Sequence, residues 1–124
     1  MKKILSVDDS IPALVLVREL LRDEYEVFTA TSGKEALAFL EGERPDAILM
    51  DFYMPDMDGV ETLEEMCKIE GFDIPVIMIS SVSTKPLEER YHELGAAAVL
   101  PKPFKPDELK ECLTRVLSDN SSER

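Results

Sequence analysis

Apolar residues fall along this chain in two alternating patterns. Short runs of strand length recur at Ile4-Leu5 with Val7, Val27-Phe28, Ala47-Ile48-Leu49-Met50, Val76-Ile77-Met78-Ile79 and Val99-Leu100. Between them lie longer stretches with apolar residues at helical spacing. Runs without strict polar alternation suit strands buried on both faces, as in a parallel sheet. Strands are therefore expected over residues 3–7, 26–30, 47–50, 75–79 and 99–100.

The intervening helices carry their own start and stop signals. Ser10 is placed to cap a first helix beginning near Pro12, with Ala13, Leu14, Val17, Leu20 and Leu21 inward. Ser32 and Glu35 have the spacing of a capping box for a second helix, which turns Ala36, Leu37 and Leu40 inward and closes at Gly42. After a turn over residues 56–59, Val60, Leu63, Met66 and Cys67 mark a third helix, ended by Gly71. Pro86 starts a short fourth helix with Leu87, Tyr91 and Leu94 on one face, and Gly95-Ala96-Ala97-Ala98 reads as a close-packed turn. Pro106 opens the fifth, with Leu109, Leu113, Val116 and Leu117 inward. Residues 82–85 read as a polar, mobile loop. The domain is expected to span residues 1–118, with 119–124 a polar tail.

Five strands alternating with five helices imply an α/β fold with a parallel sheet covered on both faces by helices. The length of 124 residues allows one domain with a real core. The formal net charge of -12 disfavours nucleic acid and anionic membranes as partners and favours basic proteins or divalent cations. No apolar run approaches the roughly 20 residues of a membrane span, and the apolar start is too short for a signal peptide, so a cytoplasmic protein is expected. Cys67 and Cys112 lack metal-type spacing and read as buried reduced thiols.

The chemistry gathers at strand ends. Asp8 and Asp9 follow strand one, Asp51 strand three, Ser80 strand four and Lys102 strand five. In a parallel sheet these ends share one edge, where open α/β sheets bind ligands. Taken singly, each has an ordinary explanation: a helix cap, a turn residue, a surface charge. Together they form a constellation. Two carboxylates about 5 Å apart repel by about 3 kcal/mol at an effective dielectric near 20. One lysine offsets only part of this, and an all-oxygen donor set selects Mg²⁺. Asp51 would then be a nucleophile, Mg²⁺ and Lys102 would neutralise phosphoryl oxygens, and Ser80 would donate a hydrogen bond to one of them.

Val7-Asp8-Asp9-Ser10, the run Asp51-x-x-Met54-Pro55-x-Met57-x-Gly59, Ser80 after an apolar strand, and Lys102-Pro103-Phe104 together resemble the receiver domain of two-component response regulators, over residues 1 to about 118. The resemblance implies a flavodoxin-like, doubly wound five-stranded sheet of order 2-1-3-4-5. It implies that Asp51 accepts a phosphoryl group from a phosphohistidine of a sensor histidine kinase or a histidine phosphotransfer protein. By the same match Asp8, Asp9, Asp51 and the backbone carbonyl of Tyr53 hold Mg²⁺, Ser80 is the switch hydroxyl, Lys102 contacts the phosphoryl group, and the Lys102-Pro103 bond is cis. The protein would catalyse its own phosphorylation and dephosphorylation without being an enzyme in the ordinary sense. As a single-domain regulator it would act as a monomer, by switching a downstream protein or feeding a phosphorelay.

One position departs from the family pattern. Many receivers carry an aromatic three residues before the lysine, and here Val99 stands there, so a swinging aromatic cannot be the readout. The sole histidine, His92, is expected on an exposed helix face, which leaves phosphate donation to a partner. Two alternatives are weaker. A phosphatase of the haloacid dehalogenase type wants a second aspartate where Tyr53 stands. A module that binds proteins without phosphorylation would not need the acidic set. A dinucleotide- or flavin-binding domain is disfavoured by the absence of G-x-G-x-x-G after strand one.

Overall fold

The structure, a computed structural model, describes the backbone of residues 1–122 and the side chains of residues 1–118. Strands and helices alternate in the order β1 (Lys2–Val7), α1 (Ile11–Leu21), β2 (Tyr25–Ala30), α2 (Gly33–Gly42), β3 (Ala47–Asp51), α3 (Gly59–Cys67), β4 (Val76–Ser80), α4 (Lys85–Glu93), β5 (Ala98–Pro101) and α5 (Pro106–Ser122). The sheet runs β2-β1-β3-β4-β5 with every pairing parallel. α5 stays helical to Ser122, through most of the stretch expected to be a polar tail; residues 123–124 lie outside the described residues. Among the described residues no helix is long and apolar enough to cross a membrane.

Successive residues of a strand face opposite sides of a sheet, and the core divides accordingly. Ile4, Leu49, Ile77 and Ile79 pack with Val17 and Leu21 of α1 and Leu109, Leu113 and Val116 of α5. Leu5, Ile48, Met50, Val76 and Met78 pack on the other face with Ala36, Leu63, Met66 and Tyr91 from α2, α3 and α4. β3 and β4 are buried along their whole length, which is why their sequences read as unbroken apolar runs.

The helix signals hold with some corrections, one of them being that α3, expected to run to Gly71, ends at Cys67 with Lys68 as its cap. Ser10 caps α1 through Ala13 N–H, as expected. Ser32 accepts from Glu35 N–H, but the Glu35 carboxylate reaches Thr31 N–H and Thr31 Oγ1, so that box is only half formed. The reciprocal box sits on α3, where Asp58 accepts from Glu61 N–H and Glu61 accepts from Asp58 N–H. Gly42 is the last residue of α2 without a left-handed backbone; Glu43 N–H closes the helix onto Phe39 O. Gly95 is required by conformation, not by close packing. Its φ is 78°, and Gly95 N–H and Ala96 N–H return to His92 O and Tyr91 O in a Schellman ending of α4. Cys67 is exposed, against the expectation of a buried thiol, whereas Cys112 is buried.

Candidate functional site

The apolar segments that form β1, β3, β4 and β5 all end at the same edge of the sheet, and their first polar residues meet there. Asp51 closes β3 with its side chain buried. It continues the Leu49 parity, so it points toward the α1 and α5 side. Ser80 closes β4 on the opposite parity, continuing Val76 and Met78. Asp8 and Asp9 follow β1, and Asp8 accepts from Ser10 N–H at 2.9 Å. Asp8 N–H donates to Ala30 O, which ties the acidic loop to the end of β2.

Lys102 arrives from β5, where its N–H donates to Ser80 O. Its Nζ lies 2.6 Å from Asp51 Oδ1 and 3.3 Å from Asp8 Oδ2. The Lys102-Pro103 peptide bond is cis, as the resemblance implies. Gly59 lets α3 start against the end of β3: a Cβ there would fall 2.6 Å from Asp51 O and 2.9 Å from Phe52 Cα.

A cleft of about 270 Å³ opens over these groups, lined by Asp8, Asp9, Asp51, Tyr53, Ser80 and Lys102 among others. Every residue expected in the site therefore lines one space. Tyr53 borders it with its side chain 75% exposed. One oxygen from each of Asp8, Asp9 and Asp51 lies within 4.8 Å of the others. Three carboxylates so close, with one ammonium between two of them, fit a hard divalent cation that can bind them directly or through its waters.

The electrostatics agree. Burial raises the pKa of Asp51, the hydrogen bond from Lys102 opposes this, and the charges of Asp8 and Asp9 raise it further. Burial works to lower the pKa of Lys102, but the bond to Asp51 and the charges of Asp51 and Asp8 outweigh it and leave it raised. The lysine is thus held charged beside a carboxylate whose own charge is disfavoured.

Ser80 is engaged with its own loop. Its hydroxyl donates to Val82 O at 2.8 Å and accepts from Val82 N–H at 3.0 Å. The loop expected to be mobile is therefore tied at its start by Ser80 and at its end by Thr84, which caps α4 through Leu87 N–H. His92 is exposed, and Val99 is 42% exposed on the edge strand.

A second cleft, of about 410 Å³, adjoins the first. Ala13, Leu16, Val17 and Leu20 form its α1 wall, Pro103, Phe104 and Pro106 its other wall, and Asp51 and Lys102 its end. Ile11, Val15 and Leu16 are more than half exposed beside it. The sequence reading gave α1 one inward stripe and missed this outward apolar face. The signal was present: residues 11–17 are apolar all round, too much for a helix with one buried side.

Residues 4–114 match the response regulator receiver domain family. The chain is 36% identical over 117 residues to the sporulation initiation phosphotransferase F of Bacillus subtilis, with 94% of each chain covered. A CheY-like response regulator receiver domain protein from Methanospirillum hungatei superposes with a TM-score of 0.93 at 31% identity, covering 100% of this chain and 99% of that one. The receiver domain of a Pseudomonas aeruginosa sensor histidine kinase, solved with a magnesium ion coordinated in its active-site cleft, superposes with a TM-score of 0.85 at 30% identity, covering 94% and 98%.

Proposed function

The chain belongs to the response regulator receiver family, and from that premise we propose that Asp51 accepts a phosphoryl group from a phosphohistidine of a sensor histidine kinase or histidine phosphotransfer protein. Receiver domains are phosphoacceptor signalling modules of two-component systems rather than enzymes in the usual sense. The observation that carries the reading is Lys102 Nζ held 2.6 Å from Asp51 Oδ1 at the end of a buried strand.

A carboxylate oxygen of Asp51 attacks phosphorus while the phosphorus–nitrogen bond of the donor breaks. The imidazole leaves with the electron pair and takes a proton from solvent. Lys102, already charged and in place, offsets the charge of one phosphoryl oxygen. The Ser80 hydroxyl donates to another after releasing Val82. Asp8, Asp9, Asp51 and the Tyr53 carbonyl would hold Mg²⁺, which when bound neutralises the carboxylates and the phosphoryl oxygens. Tyr53, at the rim, governs how easily water reaches the acyl phosphate, and slow self-dephosphorylation follows.

The donor must cover the surface around Asp51, and the apolar wall of α1 supplies a dry contact for it. Output is by a downstream protein or by onward transfer. The similarity to a sporulation phosphotransferase supports the relay alternative. The receiver unit is taken as residues 1–118, working in the cytoplasm as a monomer, with no nucleic acid partner at a net charge of -12. A histidine phosphotransfer protein carrying radiolabelled phosphoryl tests this: wild type should take the label and Asp51→Ala should not. Equal labelling of both would refute it.

A further inference from the structure

Tyr91 is the largest side chain in the core that the site does not use. It is 1% exposed, and its hydroxyl has no hydrogen-bond partner among the described residues. A buried hydroxyl without a partner is costly, and few are kept without a reason. Its surroundings supply one. The ring packs edge-on against Phe52, with centroids 6.4 Å apart, and Phe52 directly follows Asp51. Tyr91 shares the sheet face of Val76 and Met78, the face to which Ser80 belongs by strand parity. The phenol feels that neighbour: burial pushes its pKa up, and the Ser80 side chain pulls the other way. The Tyr91 hydroxyl makes no well-aligned bond to it while Ser80 is turned to Val82, giving its proton to Val82 O and taking Val82 N–H on one of its two lone pairs.

We propose that Tyr91 is the positioning residue for the switched state of Ser80, taking the part left open by Val99. When Ser80 turns its proton toward a phosphoryl oxygen on Asp51, it releases Val82 N–H and C=O in an exposed loop, where water satisfies them. Ser80 Oγ, turned away from Val82, is then aligned to accept from the Tyr91 hydroxyl. The result is a chain from Tyr91 O–H to Ser80 Oγ–H to phosphoryl oxygen, in which each bond polarises the next. One bond gained only in the switched state favours it about five-fold. Because Tyr91 lies on α4, the same bond transmits the switch to that helix. The inference rests on phosphorylation of Asp51.

The test uses ¹⁵N-labelled wild type, Tyr91→Phe, Ser80→Ala and the double variant, each treated with Mg²⁺ and a small acyl phosphate. Intact mass reports labelling, and the Val82 and α4 amide shifts report the switch. Tyr91→Phe keeps the ring on Phe52 and should label fully, but its Val82 amide should stop part-way, with the switched-to-unswitched ratio about five-fold lower. Ser80→Ala and the double variant should coincide, since the hydroxyl acts through Ser80. A full shift in Tyr91→Phe, or a double variant displaced from Ser80→Ala by the same step, overturns the role of Tyr91 and leaves the phosphoacceptor reading intact. Wild type that takes no label overturns that reading, and this inference with it.

Discussion

Lys102 Nζ stands 2.6 Å from Asp51 Oδ1 across two strand ends and 51 residues of chain. The ammonium does not fully compensate the carboxylate, since burial and the neighbouring Asp8 and Asp9 still leave the Asp51 pKa above its ordinary value of 3.8. A carboxyl whose pKa is raised by folding binds its proton more tightly in the folded state. Stability therefore falls as pH rises from the ordinary value through the folded one. Asp51→Asn should be more stable than wild type at pH 7, and the difference should vanish below about pH 4, where both are uncharged. Thermal melts across pH check this; a less stable Asp51→Asn at pH 7 would mean that the Lys102 pair dominates.

The acidic set should bind Mg²⁺. Asp9→Ala removes one of three carboxylates whose oxygens lie within 4.8 Å of one another. Affinity measured by calorimetry should fall at least ten-fold, about 1.4 kcal/mol. Equal affinity in the two proteins would remove Asp9 from the cation site.

Much of this arrangement is legible in the sequence for one physical reason. Strands buried on both faces must be apolar throughout, so the polar residue that ends each one stands out, as Asp51 and Ser80 do, while Lys102 follows the partly exposed edge strand β5 and is legible from its motif with Pro103 and Phe104. What is hidden depends on three-dimensional competition. Glu35 could serve Ser32 or Thr31, and the Thr31 amide and hydroxyl together win. Cys67 looked buried by residue type, but the inward stripe of α3 is Gly59, Thr62, Leu63 and Met66. Thr62 can be buried because its hydroxyl donates to Asp58 O. The unpartnered hydroxyl of Tyr91 could not be read from the chain, because it depends on which way Ser80 is turned in the fold.

The apolar wall of α1 should serve the donor and not the chemistry. Leu16 is 57% exposed, so Leu16→Glu should change stability by less than about 0.5 kcal/mol. Transfer from a phosphohistidine protein should slow ten-fold or more, about 1.4 kcal/mol, while uptake from a small acyl phosphate stays unchanged. Equal loss in both assays would place Leu16 in the chemistry instead.

Lifetime should depend on the residues that flank the approach of water. Tyr53 borders the cleft and crowds it, whereas Val82 lies outside the cleft lining, is placed near the approach only by the family resemblance, and cannot hydrogen-bond a water through its side chain. Tyr53→Asn with Val82→Glu should speed phosphoryl loss several-fold, one orienting hydrogen bond being worth about 1 kcal/mol. Tyr53→Asn alone should supply most of the gain. Loss no faster than wild type would show that neither residue sets the lifetime.

The role of Asp51 is tested most directly by exposing wild type and Asp51→Ala to a small acyl phosphate with Mg²⁺, then measuring intact mass and mapping the labelled peptide. Wild type should gain one phosphoryl group, on the peptide containing Asp51, and Asp51→Ala should gain none. A phosphoryl group on any other residue of the wild type, or equal uptake by the variant, would contradict the assignment.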